Sequence, residues 1–357
     1  MNTPDSPTPA TQTPQLAQDK PRAGIGRILI QLLGFGVCIG LLWWCVQTAL
    51  NPANRDKLSR LADAPIQDVV LLFALSAASV LLNGSMFWLV LRPAKRIKFW
   101  DVQAVNGTAS FLSYAPAKLS ILYRILVHTR RDGVPLLTMG AWLAAMSVIV
   151  VAAMAPMIGL AEWRQKADAV FYVGCIVSIL VLFTIIVLSA RAFSGVKGLA
   201  RIQSIFGAVP WKFFQRIPHL AAFQKLHAGF DMLASPSAVG GSLTIRVVDL
   251  LVQAFRFIVA AKILGETLHL DTAVMSACTF YLIGVTSPAG SLGAREGATT
   301  QMASWMKIPG LDTGEFAPIA LTVSATEFVI FLTAAVLGIL WIQPWKLLGG
   351  KRPAKSG

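Results

Sequence analysis

Charge is scarce in this 357-residue sequence: Asp, Glu, Lys and Arg make up 13% of it, about half the ~25% of ordinary soluble domains. With 55% apolar residues and a mean hydropathy of +0.64, the shortage excludes an ordinary water-soluble domain. Cysteine is scarce too. Cys38, Cys45, Cys175 and Cys278 all stand in apolar runs, with no CxxC pair and no His nearby. Neither a disulfide framework nor a zinc site is indicated, and buried, inert thiols are expected. The four histidines are scattered singly and no DxD-type acidic cluster occurs, so no metal and no cofactor is expected. Long polar stretches are missing as well. The longest loop, Arg191–Pro236, reads as short and irregular, too little for a catalytic domain. Residues 1–24 form a Pro/Thr/Gln/Ser-rich tail with too little apolar content to fold.

Apolar sequence is abundant. Six runs approach or exceed the ~20 residues that cross a bilayer core: Arg27–Leu50, Val69–Leu91, Val134–Leu160, Ala169–Ala190, Ala238–Leu264 and Phe316–Ile342. The first follows Lys20, Arg22 and Arg27 as a signal peptide would, but it is longer than the ~7–15 residues of an h-region and reads as a retained helix. The expected fold is an all-α polytopic membrane domain over residues 25–345. Its halves are 25–160 and 168–345, and a basic loop (191–236) and a basic tail (346–357) flank membrane helices.

Charge sets the expected orientation. With the N-terminus inside and the six runs alternating, inside segments hold 21 Lys/Arg and five acids, whereas outside loops hold seven Lys/Arg and nine acids. This is a positive-inside pattern, with both termini cytoplasmic. The net charge of +14 is therefore read as a cytoplasmic face beside anionic lipid rather than as a nucleic-acid surface.

Two segments break the pattern. Phe99–Thr129 reads as "FWDVQAVNGTASFLSY", a break at "APA", then "KLSILYRILVHT"; Leu270–Ile308 is broken at "SPAGS". Both ends of the first belong inside and both ends of the second outside. Irregular backbone at membrane depth survives only when buried in protein or lining a wet cavity. Two re-entrant hairpins with tips near the midplane follow, although full spanning pairs have the same parity, giving eight to ten membrane helices. Each half then reads span, span, hairpin, span with opposite orientation, the plan of an inverted repeat. The tips are Pro116-Ala117 and Pro288-Ala289-Gly290, with Gly293 just beyond. A helix starting after each break exposes unpaired N–H groups and a partial positive charge, an anion site to which Lys118, Arg124 and Arg295 add full charge.

Further charges lie inside apolar runs. Arg246, Asp249, Gln253 and Arg256 fall within an arc of about 80° on one helical face, and each Arg or Asp at mid-membrane costs about 2.5–3.5 kcal/mol on insertion scales. They are expected to face the interior, with Arg246-Asp249 as an i,i+3 pair; alternatively Arg256 snorkels outward. Glu327 has no charged neighbour in its own run. It meets Arg256 or Arg295, or takes a substrate or proton role. Arg295 needs an anionic partner: Glu327, Asp249 or a bound phosphate. Glu296, at a helix start, is favoured by the dipole.

"PAKLSILYR" (Pro116–Arg124) and "SPAGSLGAREG" (Ser287–Gly297) resemble the PARLGELxR-like and PGGLGxxE-like elements of the flippase-like transmembrane family related to lysylphosphatidylglycerol synthase. The order of spans agrees from about residue 25 to 345. Ser120 stands where the family prefers Gly, Ile121 where it often has Glu, and Ser291 resembles an insertion. The resemblance implies movement of a phospholipid or lipid-linked substrate across a bacterial inner (plasma) membrane. Lys118, Arg124, Arg246, Arg256 and Arg295 would bind its head group, and Asp249, Glu296 and Glu327 would balance them or carry a proton. Bifunctional members add a soluble aminoacyltransferase domain that these residues do not contain, so lysyl transfer is not expected. The alternatives are an intramembrane transferase using Glu296 or Glu327 and a scaffold docking a cytoplasmic partner.

Overall fold

The computed structural model describes residues 25–164, 168–287, 289–305 and 313–348. The expected tail over 1–24, residues 349–357 of the expected C-terminal tail, and Pro288 lie outside the described residues. All regular structure among the described residues is helical. The six runs become α1 (Ile25–Ala49), α3 (Ile66–Leu91), α6 (Leu136–Arg164), α7 (Ala169–Phe193), α11 (Pro236–Ile263) and α14 (Thr313–Ile342). Five are long and apolar enough to cross a membrane. The sixth, α11, has 28 residues but carries the interior charges. Outward-facing positions of α7, such as Val173, Ile176, Val177, Leu180 and Leu188, are exposed, as lipid contact requires.

The two broken segments are α4 (Phe99–Leu112) with α5 (Leu119–Arg130), and α12 (Leu270–Thr286) with α13 (Ala294–Trp305). Their limbs run from 12 to 17 residues, about 18–25 Å at 1.5 Å per residue, short of a ~30 Å hydrocarbon core. The start of α4 meets the end of α5 through Arg131–Asp101 at 3.0 Å, so this hairpin enters and leaves on one face. On the other face Lys57, from a short polar helix α2 (Arg55–Ala62), pairs with Glu266 before α12 at 2.9 Å and with Glu315 of α14 at 3.0 Å. Burial alone would disfavour the Lys57 ammonium, but the two carboxylates outweigh it and raise its pKa above the ordinary lysine value. The hairpins therefore rise from opposite faces, each with limbs shorter than the long helices around it.

The packing repeats between the halves. α3 lies along α11, the pair at the centre; α3 packs on α4 as α11 packs on α12, and α14 on α4 as α6 on α12. Because lipid supplies no hydrophobic drive between helices, close approach through small residues takes its place. A Cβ on Gly338 would sit 2.3 Å from the Ala104 carbonyl oxygen, and one on Gly107 2.9 Å from that of Ala334, so α4 and α14 cross backbone to backbone.

One expectation is corrected. The segment 191–236 is not irregular: it forms α8 (Gly195–Gly207), α9 (Lys212–Arg216) and α10 (Ala221–Leu233). Ser194 is extended ahead of α8 and Pro210 and Pro218 punctuate the rest, so the helices are short. Their apolar sides rest on the bundle, α10 on α6 and α8 on α7, and their amphipathic period was hidden among basic residues. The four cysteines are buried and unpaired.

Candidate functional site

The hairpins meet tip to tip. The Ser291 N–H and hydroxyl both donate to the carbonyl oxygen of Ser113, at 3.0 and 3.2 Å. Two glycines make this approach possible. Gly290 has φ +111°, and a Cβ there would lie 2.6 Å from the Tyr114 carbonyl oxygen; Gly293 has φ +81°, and its Cβ would lie 1.8 Å from the Cys38 carbonyl oxygen of α1. Left-handed backbone and close approach both demand glycine. Ser287 and residues 289–293 are non-helical and helix resumes at Ala294, so Arg295 and Glu296 occupy the first turn, as expected.

There Glu296 caps its own helix. Its carboxylate accepts from the Gly293 N–H at 2.6 Å and from the Ser324 hydroxyl of α14. The anion site expected at this helix start is thus filled by the chain's own carboxylate, satisfying a donor left open by helix geometry. Arg295, buried, reaches Glu296 at 3.2 Å, pairs with Glu327 and donates to the Tyr114 hydroxyl at 2.8 Å. Its guanidinium lies 4.3 Å from the centroid of Phe280. The far oxygen of Glu327 pairs with Arg256 at 2.7 Å, and Arg256 also donates to the Val323 carbonyl oxygen at 3.1 Å. Arg256 therefore points inward and does not snorkel. Two guanidiniums and two carboxylates form one charge-neutral group that ties α11, α13 and α14 to the tip of the first hairpin.

The other expected residues stand apart from it. Asp249 does not serve Arg295; it pairs with Arg246 at 2.6 Å and accepts from Ser79 of α3 at 2.6 Å and from Gln253 at 3.0 Å. Arg246 stacks 3.4 Å from the ring centroid of Tyr281 on α12. Arg124 on α5 is buried. It donates to Asn106 at 2.8 Å, whose amide donates to the Val80 carbonyl oxygen at 2.9 Å, and it lies 4.0 Å over the ring of Phe87. Lys118 donates to the Val285 carbonyl oxygen at 2.8 Å, placing a cation at the C-terminal end of α12 where the dipole favours it. Ala117 and Lys118 both have positive φ, which turns the chain from Pro116 into α5.

The structure thus divides the expected constellation in three: a neutral group around Glu327, the Arg246–Asp249 pair, and Arg124 with Asn106. Tyr114, Ser324, Ser79 and Tyr281 belong to these groups and were missed, because a hydroxyl or a phenol in an apolar run gives no periodic signal that it points at a charge. No curated protein and no solved structure matches this chain. The family model for the lysylphosphatidylglycerol synthase TM region matches residues 31–335. Broken hairpins, buried charges and this match lead to one conclusion: the chain is a multi-pass membrane protein of the lysylphosphatidylglycerol synthase transmembrane-region family.

Proposed function

We propose that this protein is a lipid flippase that moves an anionic or lipid-linked head group across the bilayer, past the point where its two hairpin tips meet. The observation that carries this reading is that point itself. Backbone is unwound inside a membrane domain and held by charged side chains drawn from both halves, which suits a path for a polar group. In this reading the basic face, with both termini, is cytoplasmic and the membrane is the bacterial inner membrane. The same face attracts anionic lipid.

Transport is favoured over transfer chemistry by the state of the two carboxylates. Glu296 is engaged by the Gly293 N–H and by Ser324, and Glu327 lies between two guanidiniums. Neither is poised as a base or nucleophile. The neutral group acts as the closure between the tips and opens as a head group passes.

The test is scrambling of a fluorescent anionic phospholipid in vesicles reconstituted with wild type and with Arg295→Ala. Wild type is expected to exceed protein-free vesicles and the variant to fall to that background while remaining monodisperse. Equal rates for the two proteins would sink the assignment.

A further inference from the structure

A second polar region lies apart from the neutral group, along the seam where α3 and α11 meet α5 and α12. The α3–α11 pairing is antiparallel: Asp68 meets Lys262 at 2.9 Å, Ser79 meets Asp249, and Leu89 lies beside Gly241. In this register Asn83 faces the turn of Arg246, and Phe87 faces the turn of Ser242. Arg124 sits on the Phe87 ring, and its Asn106 partner is fastened to Val80. The Arg246 guanidinium covers the Tyr281 ring. Arg124 and Arg246 therefore converge on neighbouring turns of one seam.

The seam is short of negative charge; its open acceptor is the neutral amide oxygen of Asn83, buried without a partner among the described residues. Arg246 has one carboxylate, Asp249, which already receives Arg246, Ser79 and Gln253, and Arg124 has an amide oxygen, that of Asn106, instead of a carboxylate. Arg124 Nη1, Arg246 Nε and Nη2 and the Ser242 Oγ are buried without a hydrogen-bond partner among the described residues. Arg124 is 6% exposed, and Arg246 and Ser242 are 0% exposed. Buried guanidinium N–H groups left open are costly, and a tetrahedral oxyanion, which accepts several at once, satisfies them.

We infer that this seam is a binding site for a phosphate group, held between Arg124 and Arg246 with Ser242 as an additional donor. A lipid is the favoured source of that phosphate. The outer side of α5, with the start of α6, forms an apolar groove lined by Leu122, Ile125, Leu126, Val134, Pro135 and Leu136. One helix thus offers a surface for acyl chains and, on its inner side, a cation for the head. That this phosphate belongs to the transported lipid rests on the flippase reading; the anion site itself does not. The neutral Arg295–Glu327–Arg256–Glu296 group has no spare charge for an anion and is the closure, so the binding and closing functions fall on different residues.

The experiment is a titration of purified full-length protein with phosphatidylglycerol, read by native mass spectrometry, with diacylglycerol of the same chains as the phosphate-free control. A parallel series adds inorganic phosphate and follows thermal melting. Wild type is expected to hold phosphatidylglycerol roughly tenfold or more tightly than diacylglycerol. Arg124→Gln, and Arg246→Gln combined with Asp249→Asn to keep that pair neutral, should each abolish the preference. Arg295→Gln with Glu327→Gln, which is also charge-balanced, should keep it. Should either double variant misfold, Arg124→Gln decides, since it strands no carboxylate. Preference that survives Arg124→Gln and the Arg246/Asp249 pair, or is lost only with Arg295/Glu327, would overturn the inference while leaving the flippase reading standing. Stabilisation by inorganic phosphate as strong as that by lipid, and lost in the same variants, upholds the site with a soluble anion as its source. Selective binding by a protein that scrambles no lipid upholds the site and rejects the flippase reading.

Discussion

The second hairpin carries its own counter-charges, whereas the first does not. At the second, Arg295 and Glu296 are adjacent, and Glu327 and Arg256 complete a neutral set in which the carboxylate oxygens accept several donors. At the first, Arg124 is buried against an aromatic ring and one amide oxygen, and Lys118 is spent on a carbonyl of the opposite hairpin. The breaks are built alike, but one is closed within the chain and the other is left needing an acceptor. A pseudo-symmetric scaffold can thus support two different tasks, because the position of a single carboxylate decides whether a buried cation is structural or available.

Removing one member of the neutral set is the strongest way to break this comparison. Glu327→Gln strands Arg256 and leaves Arg295 with Glu296 alone, and losing one partner of a buried ion pair costs about 3–5 kcal/mol. A sharp fall in melting temperature and in yield of folded protein is expected. An unchanged melting curve would mean that the set is wet and carries no structural load. Gly293→Ala comes next, because it places a Cβ in left-handed backbone and against the Cys38 carbonyl oxygen. Backbone strain of that kind costs on the order of 1–3 kcal/mol, and the contact with α1 adds to it. Proteolysis near the second tip should rise, and equal protease resistance would contradict the tight tip.

Arg124→Gln tests the other side. It gives up a cation–π contact and one hydrogen bond but also removes a buried charge without a carboxylate, so the melting point should stay within about 1 kcal/mol of wild type. A loss as large as that of Glu327→Gln would erase the distinction between the hairpins. Lys118→Met should be smaller, about 0.3–1 kcal/mol, as expected for a cation at a helix end, and differential scanning of the purified protein measures it. The smallest effect belongs to a reference pair in contact with water. The Lys57 pKa is raised above 10.5 in the folded protein, so its stabilisation is complete below the unfolded value and is lost as pH rises through the folded one. Wild type and Lys57→Met should differ by at most about 1 kcal/mol at neutral pH and converge in melting above pH 10.5.

The membrane class, all six long helices and both hairpin breaks were legible in the sequence, because each rests on local physics. A run of apolar residues must be helical in lipid, and a proline removes a donor. The Arg246–Asp249 pair was legible for the same reason, since three residues on a helix bring side chains together. What tertiary structure alone decided was the pairing between helices. Asp249 and Glu327 were both open as partners for Arg295, and only the depth at which α14 packs against α11 and α13 gives Glu327 to Arg295 and Arg256, leaving Asp249 with Arg246 and Ser79. Tyr114 enters the charge group and Asn106 holds Arg124 through contacts 181 and 18 residues apart, distances at which helical period carries no information. Charge neutrality at one break and its deficit at the other arise from how the halves pack, because a buried charge is defined by its three-dimensional neighbours rather than by those in sequence.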